Sequence, residues 1–183
     1  SAGYKAVELG MEYATKYGIS AISVFNSSHP GAMSCMTLKA AREGFICMGF
    51  THADSLMLSH GGVRPFFGTN PISVAVPREE PEPYCLDMAT SMISWNKLLN
   101  LRKKTSTIDD GLGADGNGVS TNDPKMVESL MPAGSYKGFG LASMVEIFCS
   151  IYSGMAFGRE IPSMYKTPIE LKLKYLNDFK KFY

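Results

Sequence analysis

The stretch ISAISVFNSSHPGAMSCMTLKAAREGFICMGF, residues 19–50, decides the fold class. Its opening run, Ile19 to Phe25, is short, apolar and rich in β-branched side chains, which predicts a strand. Asn26-Ser-Ser-His29-Pro30-Gly31 follows as a turn-rich loop, punctuated by Pro30 and Gly31. Ala32 to Glu43 carries helical patterning and stops at Gly44. Phe45 to Thr51 is apolar again and predicts a second strand. Strand, loop, helix and strand in that order argue for an α/β arrangement.

Working outward, Gly3 to Tyr17 predicts an amphipathic helix that ends at Gly18. Downstream, His52 to Asn70 is irregular and contains the turn signatures Gly61-Gly62 and Gly68-Thr69-Asn70-Pro71. Ile72 to Val76 and Tyr84 to Met88 predict two strands, and the charged, proline-bearing connector Pro77 to Pro83 makes them a hairpin. Ser91 to Lys104 predicts a helix with a basic end, and Thr105 to Pro124 a long polar surface excursion. Met126 to Met131 reads as a short helix and Pro132 to Gly138 as a loop. Phe139 to Ser153 predicts a helix that is apolar almost all round and therefore buried.

With 183 residues, 45% of them hydrophobic, the chain can build the core of one domain or slightly more. A formal charge of +1 offers no basic excess to follow a phosphate backbone, which argues against nucleic acid as a partner. No apolar stretch reaches the length of a membrane span; the run Leu141 to Tyr152 is short and interrupted by Ser143, Glu146 and Ser150. Cys35, Cys47, Cys85 and Cys149 are widely spaced, form no CxxC pair and sit in apolar runs. They read as reduced core residues of a reducing compartment, with no zinc site and no disulfide framework. The opening Ser1-Ala2-Gly3-Tyr4 has no initiator Met and no signal-peptide pattern, so it reads as a chain entered mid-protein.

Several residues invite chemistry. His29 is displayed in a tight loop at a strand end, where a neutral imidazole could take a proton from a substrate hydroxyl; the competing reading is a solvated side chain. His52 and His60 follow a strand and flank the next loop; His60-Gly61-Gly62 could belong to a site, with a surface turn as the default. Three histidines without periodic spacing make no metal site. Lys137-Gly138-Phe139-Gly140 opens a long helix, so backbone N–H groups and the Lys137 charge could cradle an anion; an ordinary helix start is the alternative. Asp87, at a strand end in Asp87-Met88-Ala89-Thr90, could cap a helix or accept hydrogen bonds from a ribose. A dinucleotide-binding reading of Gly138-x-Gly140-x-x-Ser143 fails, because no buried strand precedes it and the last glycine is absent. A calcium loop at Asp115-x-Asn117 lacks the ligands it needs, and no nucleophile elbow is present.

Taken together, Asn26-Ser-Ser-His29-Pro-Gly31, Gly61-Gly62, Gly68-Thr-Asn-Pro71, Leu86-Asp-Met-Ala-Thr90, Asp115-x-Asn117-Gly118-x-x-Thr121-x-Asp123-Pro124 and Tyr136-Lys-Gly-Phe-Gly-Leu141 resemble, in order and spacing, the type-2 malate/L-lactate dehydrogenase family. Agreement runs over roughly residues 3–166, and the ending Ser153 to Tyr165 looks like the ureidoglycolate dehydrogenase branch. The resemblance implies a non-Rossmann α/β (α+β) fold, a large mixed or mostly antiparallel sheet flanked by helices. It divides the chain into a central NAD(P)-binding region over 1–166 and a divergent helical tail over 167–183. It implies hydride transfer between NAD or NADP, with NAD favoured, and a small 2-hydroxy or 2-oxo acid, in a cytoplasmic homodimer. His29 matches the family's proton acceptor, with Asp54 placed by analogy to orient it. Asp87, Met88, Ala89, Lys137 and Gly138 match cofactor-binding positions, and Gly68, Thr69 and Asn70 would line the substrate pocket. Family members carry further segments before and after this stretch, including a basic clamp for the substrate carboxylate, so the chain reads as truncated at both ends. The alternative is a non-catalytic remnant that binds nucleotide or dimerises.

Overall fold

In the computed structural model, residues 2–27 and 29–163 are described. The predicted tail over 167–183 therefore lies outside the described residues. Among the described residues, two small sheets and four α-helices make up the fold, with strands and helices interleaved along the chain. The first sheet is antiparallel throughout, in the order β1 (Cys47–Phe50), β4 (Ile72–Val76), β5 (Tyr84–Met88). The second is mixed, in the order β3 (Pro65–Phe67), β2 (Met57–Leu58), β7 (Ser129–Leu130), β6 (Gly113–Ala114), with β2 and β7 parallel and the other pairs antiparallel. The predicted mixed, mostly antiparallel α/β character is present, with its strands divided between two sheets.

α2 (Ser34–Arg42) covers the first sheet. Its Met36, Thr37, Ala40 and Ala41 are buried at helical spacing, which is the amphipathic face that predicted it. β4 buries Ser73 and Ala75 on alternate positions beneath that helix, and the Thr37 and Ser73 hydroxyls meet at 2.8 Å. The hairpin β4–β5 has the bounds predicted for it. α1 (Ala2–Tyr17) rests on α2 and buries none of its own residues. Around the second sheet, Ile93, Leu98, Ile108, Val127 and Leu130 form an apolar cluster that includes Leu98 of α3 (Trp95–Lys104).

Four expectations need correction. Ile19 to Phe25 is not a strand: it joins no β-ladder among the described residues, and Ile19 is 81% exposed. Met126 to Met131 is not a helix; Leu130 pairs with Met57 and Gly113, making the segment a strand at the centre of the second sheet. The last helix starts earlier than Phe139, as α4 (Tyr136–Glu146), and continues as a π-turn (Ile147–Ile151). It is not buried all round either. Gly138, Ala142, Val145 and Glu146 face inward, while Leu141, Ile147, Phe148, Ile151 and Tyr152 are exposed. The cysteines are free, but Cys35 is exposed and the others are only partly buried.

Candidate active site

The predicted site segments are distant in sequence and are joined by short polar links. Thr90 is the junction. Its N–H and hydroxyl both donate to the Thr69 carbonyl, at 2.9 and 3.0 Å, and its own carbonyl accepts the Ala133 N–H at 2.9 Å. The Ala133 carbonyl accepts the Gly138 N–H at 2.7 Å. Turn 68–70, strand end 87–90 and the start of α4 thus meet. A side chain at Gly138 would place its Cβ 2.4 Å from the Ala133 oxygen and 2.5 Å from the Thr90 oxygen, so only glycine allows this approach. Gly68 is equally constrained, its would-be Cβ lying 2.3 Å from the Ala53 oxygen. That contact sets the segment carrying Asp54 against the turn.

Asp87 reaches α2, the helix that follows the His29 loop. Its carboxylate accepts the Ser34 N–H at 2.8 Å, capping the N-terminus of α2 from the neighbouring strand β5. A carboxylate here satisfies an orphan helix donor and meets the positive end of the helix dipole. Both readings of Asp87 anticipated a hydrogen-bond acceptor; the helix it caps lies upstream rather than next in sequence.

His29 is exposed, and its Nδ1 accepts the Gly31 N–H at 3.0 Å. A neutral imidazole has one lone pair to offer, so this bond places the ring proton on Nε2. Asp54 is buried, and no hydrogen bond joins it to His29 among the described residues. Met88 and Lys137 are exposed, and Ala89 is partly buried. The amides of Lys137, Gly138 and Phe139 all donate to carbonyls of residues 133–135, so they are already engaged and the anion cradle reduces to the Lys137 ammonium.

Asn70 is fully buried and its amide is completely used. Its oxygen accepts the Ala53 N–H at 3.1 Å, and its nitrogen donates to the Ala142 carbonyl at 3.0 Å and to Glu146 Oε2 at 2.8 Å. The other Glu146 oxygen accepts the Gly158 N–H at 2.6 Å and the Ser150 hydroxyl at 3.3 Å. Ser150 in turn meets His52 Nδ1. Burial pushes the His52 imidazole below its ordinary pKa, and the Glu146 charge opposes that shift. Nearby, burial followed by the Glu146 charge pushes the Cys149 thiol up to about 11, so it is no nucleophile at neutral pH. None of Glu146, Ser150 and His52 was singled out as a site residue from sequence. The available signal was a Glu and a Ser at i, i+4 within an otherwise apolar helix.

The non-glycine residues with positive φ among the described residues are Asn26, Asn70 and Ser135. They fall at the head of the His29 loop, in the Gly68 turn and at the N-cap of α4. Such conformations cost roughly 1–3 kcal/mol each and cluster at functional sites. Among the described residues no group of three or more His, Cys, Asp or Glu side chains could hold a metal ion.

The model of the malate/L-lactate dehydrogenase family matches residues 1–177. Ureidoglycolate dehydrogenase (NAD(+)) of Escherichia coli K12 is 37% identical, over 90% of this chain and 48% of the relative. The (2R)-3-sulfolactate dehydrogenase (NADP(+)) of Chromohalobacter salexigens is 34% identical, over 88% of this chain and 49% of the relative. The crystal structure of malate dehydrogenase from Entamoeba histolytica superposes with a TM-score of 0.81 at 31% identity, covering 86% of this chain and 48% of that one. The chain thus spans about half the length of the relatives it matches.

Proposed function

The chain belongs to the malate/L-lactate dehydrogenase family, and from that premise we propose that it forms the cofactor-binding part of an NAD(P)-dependent 2-hydroxyacid dehydrogenase. The observation that supports this reading is the Thr90 junction with the Asp87 cap, which joins turn 68–70, strand end 87–90, the start of α4 and the N-terminus of α2, the helix after the His29 loop.

The exposed side chains there fit a dinucleotide: a carboxylate at Asp87 to accept ribose hydroxyls, an apolar surface at Met88 beside Ala89, and a cation at Lys137 for a phosphate. Gly138 lets α4 approach Thr90 closely enough to set Lys137 beside the strand end. A bound nicotinamide supplies the hydride donor or acceptor. His29 takes up the hydroxyl proton of the 2-hydroxy acid, or returns it to the 2-oxo acid. For that, the substrate hydroxyl displaces the Gly31 N–H from Nδ1. The bond is exposed and worth about 0.5–1.5 kcal/mol net, so displacement is affordable. Asp54 favours the productive tautomer once the loop adjusts toward it. Gly68 and Thr69 line the substrate side, while Asn70 acts from behind them.

The named relatives are ureidoglycolate, sulfolactate and malate dehydrogenases, using NAD(+) or NADP(+) where their names say so. We assign a small 2-hydroxy acid and NAD to this chain on the nearness to the ureidoglycolate relatives. Four free cysteines fit a reducing, cytoplasmic setting. The test is NADH fluorescence titration, followed by turnover of ureidoglycolate, malate and lactate. His29→Ala should lower kcat by about 10²–10⁴-fold and leave NADH affinity unchanged. Undiminished turnover in that variant removes His29 from the mechanism.

A second reading is a nucleotide-binding or dimerisation module without turnover. The exposed row Ile147, Phe148, Ile151 and Tyr152 has the apolar chemistry a homodimer contact requires. NADH binding without turnover supports this module. A molecular mass in sedimentation that stays monomeric at every concentration rules out the dimer.

A further inference from the structure

We propose that Glu146 is a positioning residue for the substrate side of the site. The inference rests on the dehydrogenase reading above. Glu146 is 2% exposed, hydrogen-bonds to Asn70 of the candidate substrate side, and lies where α4 passes into the π-turn. A buried carboxylate costs free energy unless several donors surround it. Three do so here: the Asn70 amide, the Gly158 N–H and the Ser150 hydroxyl.

Each donor ties a different segment to the carboxylate. Asn70 belongs to the turn that carries Gly68 and Thr69, and through its oxygen it also holds Ala53, the neighbour of Asp54. Ser150 extends the link to His52, the residue before Ala53. The adjacent residues His52 and Ala53, which lead into Asp54, are therefore both tied to one side chain. Glu146 and Ser150 are four residues apart and so share one helix face. Beyond Glu146 the helix widens: the Tyr152 N–H donates to the Ile147 carbonyl and the Met155 N–H to the Ser150 carbonyl, each five residues back. The held turn is also strained, since Asn70 keeps a φ of 27°. A strained non-glycine turn persists only when its surroundings over-determine it, and the Asn70–Glu146 bond is one of three that do so.

The experiment is Glu146→Gln in the full chain, read in two ways. Gln retains size and an acceptor for Gly158 but presents an amide donor to the Asn70 amide. Losing a hydrogen bond to a charged group should speed amide exchange in residues 52–54 and 68–70 by about tenfold or more, with β4–β5 unchanged. It should also raise KM for the 2-oxo acid by about tenfold while NADH affinity stays at the wild-type value. A purely structural role would lower thermal stability without separating KM from cofactor affinity. A folded Glu146→Gln chain with wild-type exchange and wild-type KM overturns the proposal. If the wild-type chain neither binds NADH nor turns over, the dehydrogenase reading fails and the positioning role with it, whatever the exchange rates show. Should Glu146→Gln not fold, Ser150→Ala cuts only the His52 arm, and unchanged exchange over 52–54 in that variant overturns the clamp.

Discussion

Two neighbouring regions are held together in opposite ways. Around the second sheet, Ile93, Leu98, Ile108, Val127 and Leu130 pack side chain against side chain. Behind the candidate site, Asn70, Glu146, Ser150 and His52 are linked by directed polar bonds. Apolar packing is non-directional and tolerates small displacements, so it supplies stability without fixing one angle. A buried polar network permits few alternatives, because a donor that moves loses its acceptor in a medium with no water to replace it. The strained turn at Asn70 lies in the second region, and the fully buried leucine of α3 in the first. Stability and geometry are thus assigned to different parts of one small fold.

The sharpest break of this contrast is Leu98→Ala. Leu98 has no exposed surface, and truncating it should cost about 2–5 kcal/mol in urea unfolding. The fraction that remains folded should bind NADH with wild-type affinity. A loss of affinity as large as the loss of stability would show that the apolar cluster also shapes the site. Gly138→Ala should have a smaller but two-sided effect. Helix propensity favours alanine by about 1 kcal/mol, yet the added Cβ meets backbone of Ala133 and Thr90 at 2.4–2.5 Å. Backbone cannot rotate away as a side chain can, so a net loss of about 1–3 kcal/mol should result. NADH affinity should fall with it, since α4 must move off the strand end that carries Met88. Retained stability and retained affinity together would show that α4 is not anchored through Thr90.

The same contrast explains what was legible in the sequence. α2 and the β4–β5 hairpin follow from local patterning and turn chemistry, and their predicted bounds match closely. Ile19 to Phe25 has strand composition but joins no β-ladder among the described residues, and strand formation depends on a neighbouring strand that composition does not supply. Ser129–Leu130 becomes a strand because Met57, far away in sequence, pairs with it. The last helix misleads for a related reason. An all-apolar helix implies a cover on every side, and here Ile151 and Tyr152 are 60% and 79% exposed. The site segments were legible as motifs because their turns demand particular residues. The links between them were not, since a Thr90–Thr69 bond or a Glu146–Asn70 bond leaves no periodic trace.

The finest distinction between the two regions is in their response to pH, and it turns on His52. The apolar cluster contains nothing that titrates. His52 is partly buried, and Glu146 faces it through Ser150 while Cys149 lies beside it. Burial is the larger influence and lowers the imidazole below its ordinary value of 6.5; the Glu146 charge only partly offsets this. In the unfolded chain the same ring takes up a proton at its ordinary pKa. Between the two values the unfolded state therefore holds more protons, and stability rises with pH there. The contribution of neutral His52 is complete above the unfolded value and is lost as pH falls through 6.5 toward the folded value. Urea midpoints measured across that window should drop more steeply in the wild type than in His52→Asn, which cannot titrate. Leu98→Ala should shift the whole curve down and leave its slope alone. Parallel curves for wild type and His52→Asn would mean that the ring is as solvated in the folded chain as in the unfolded one, and the arm of the clamp through Ser150 would be lost with that result.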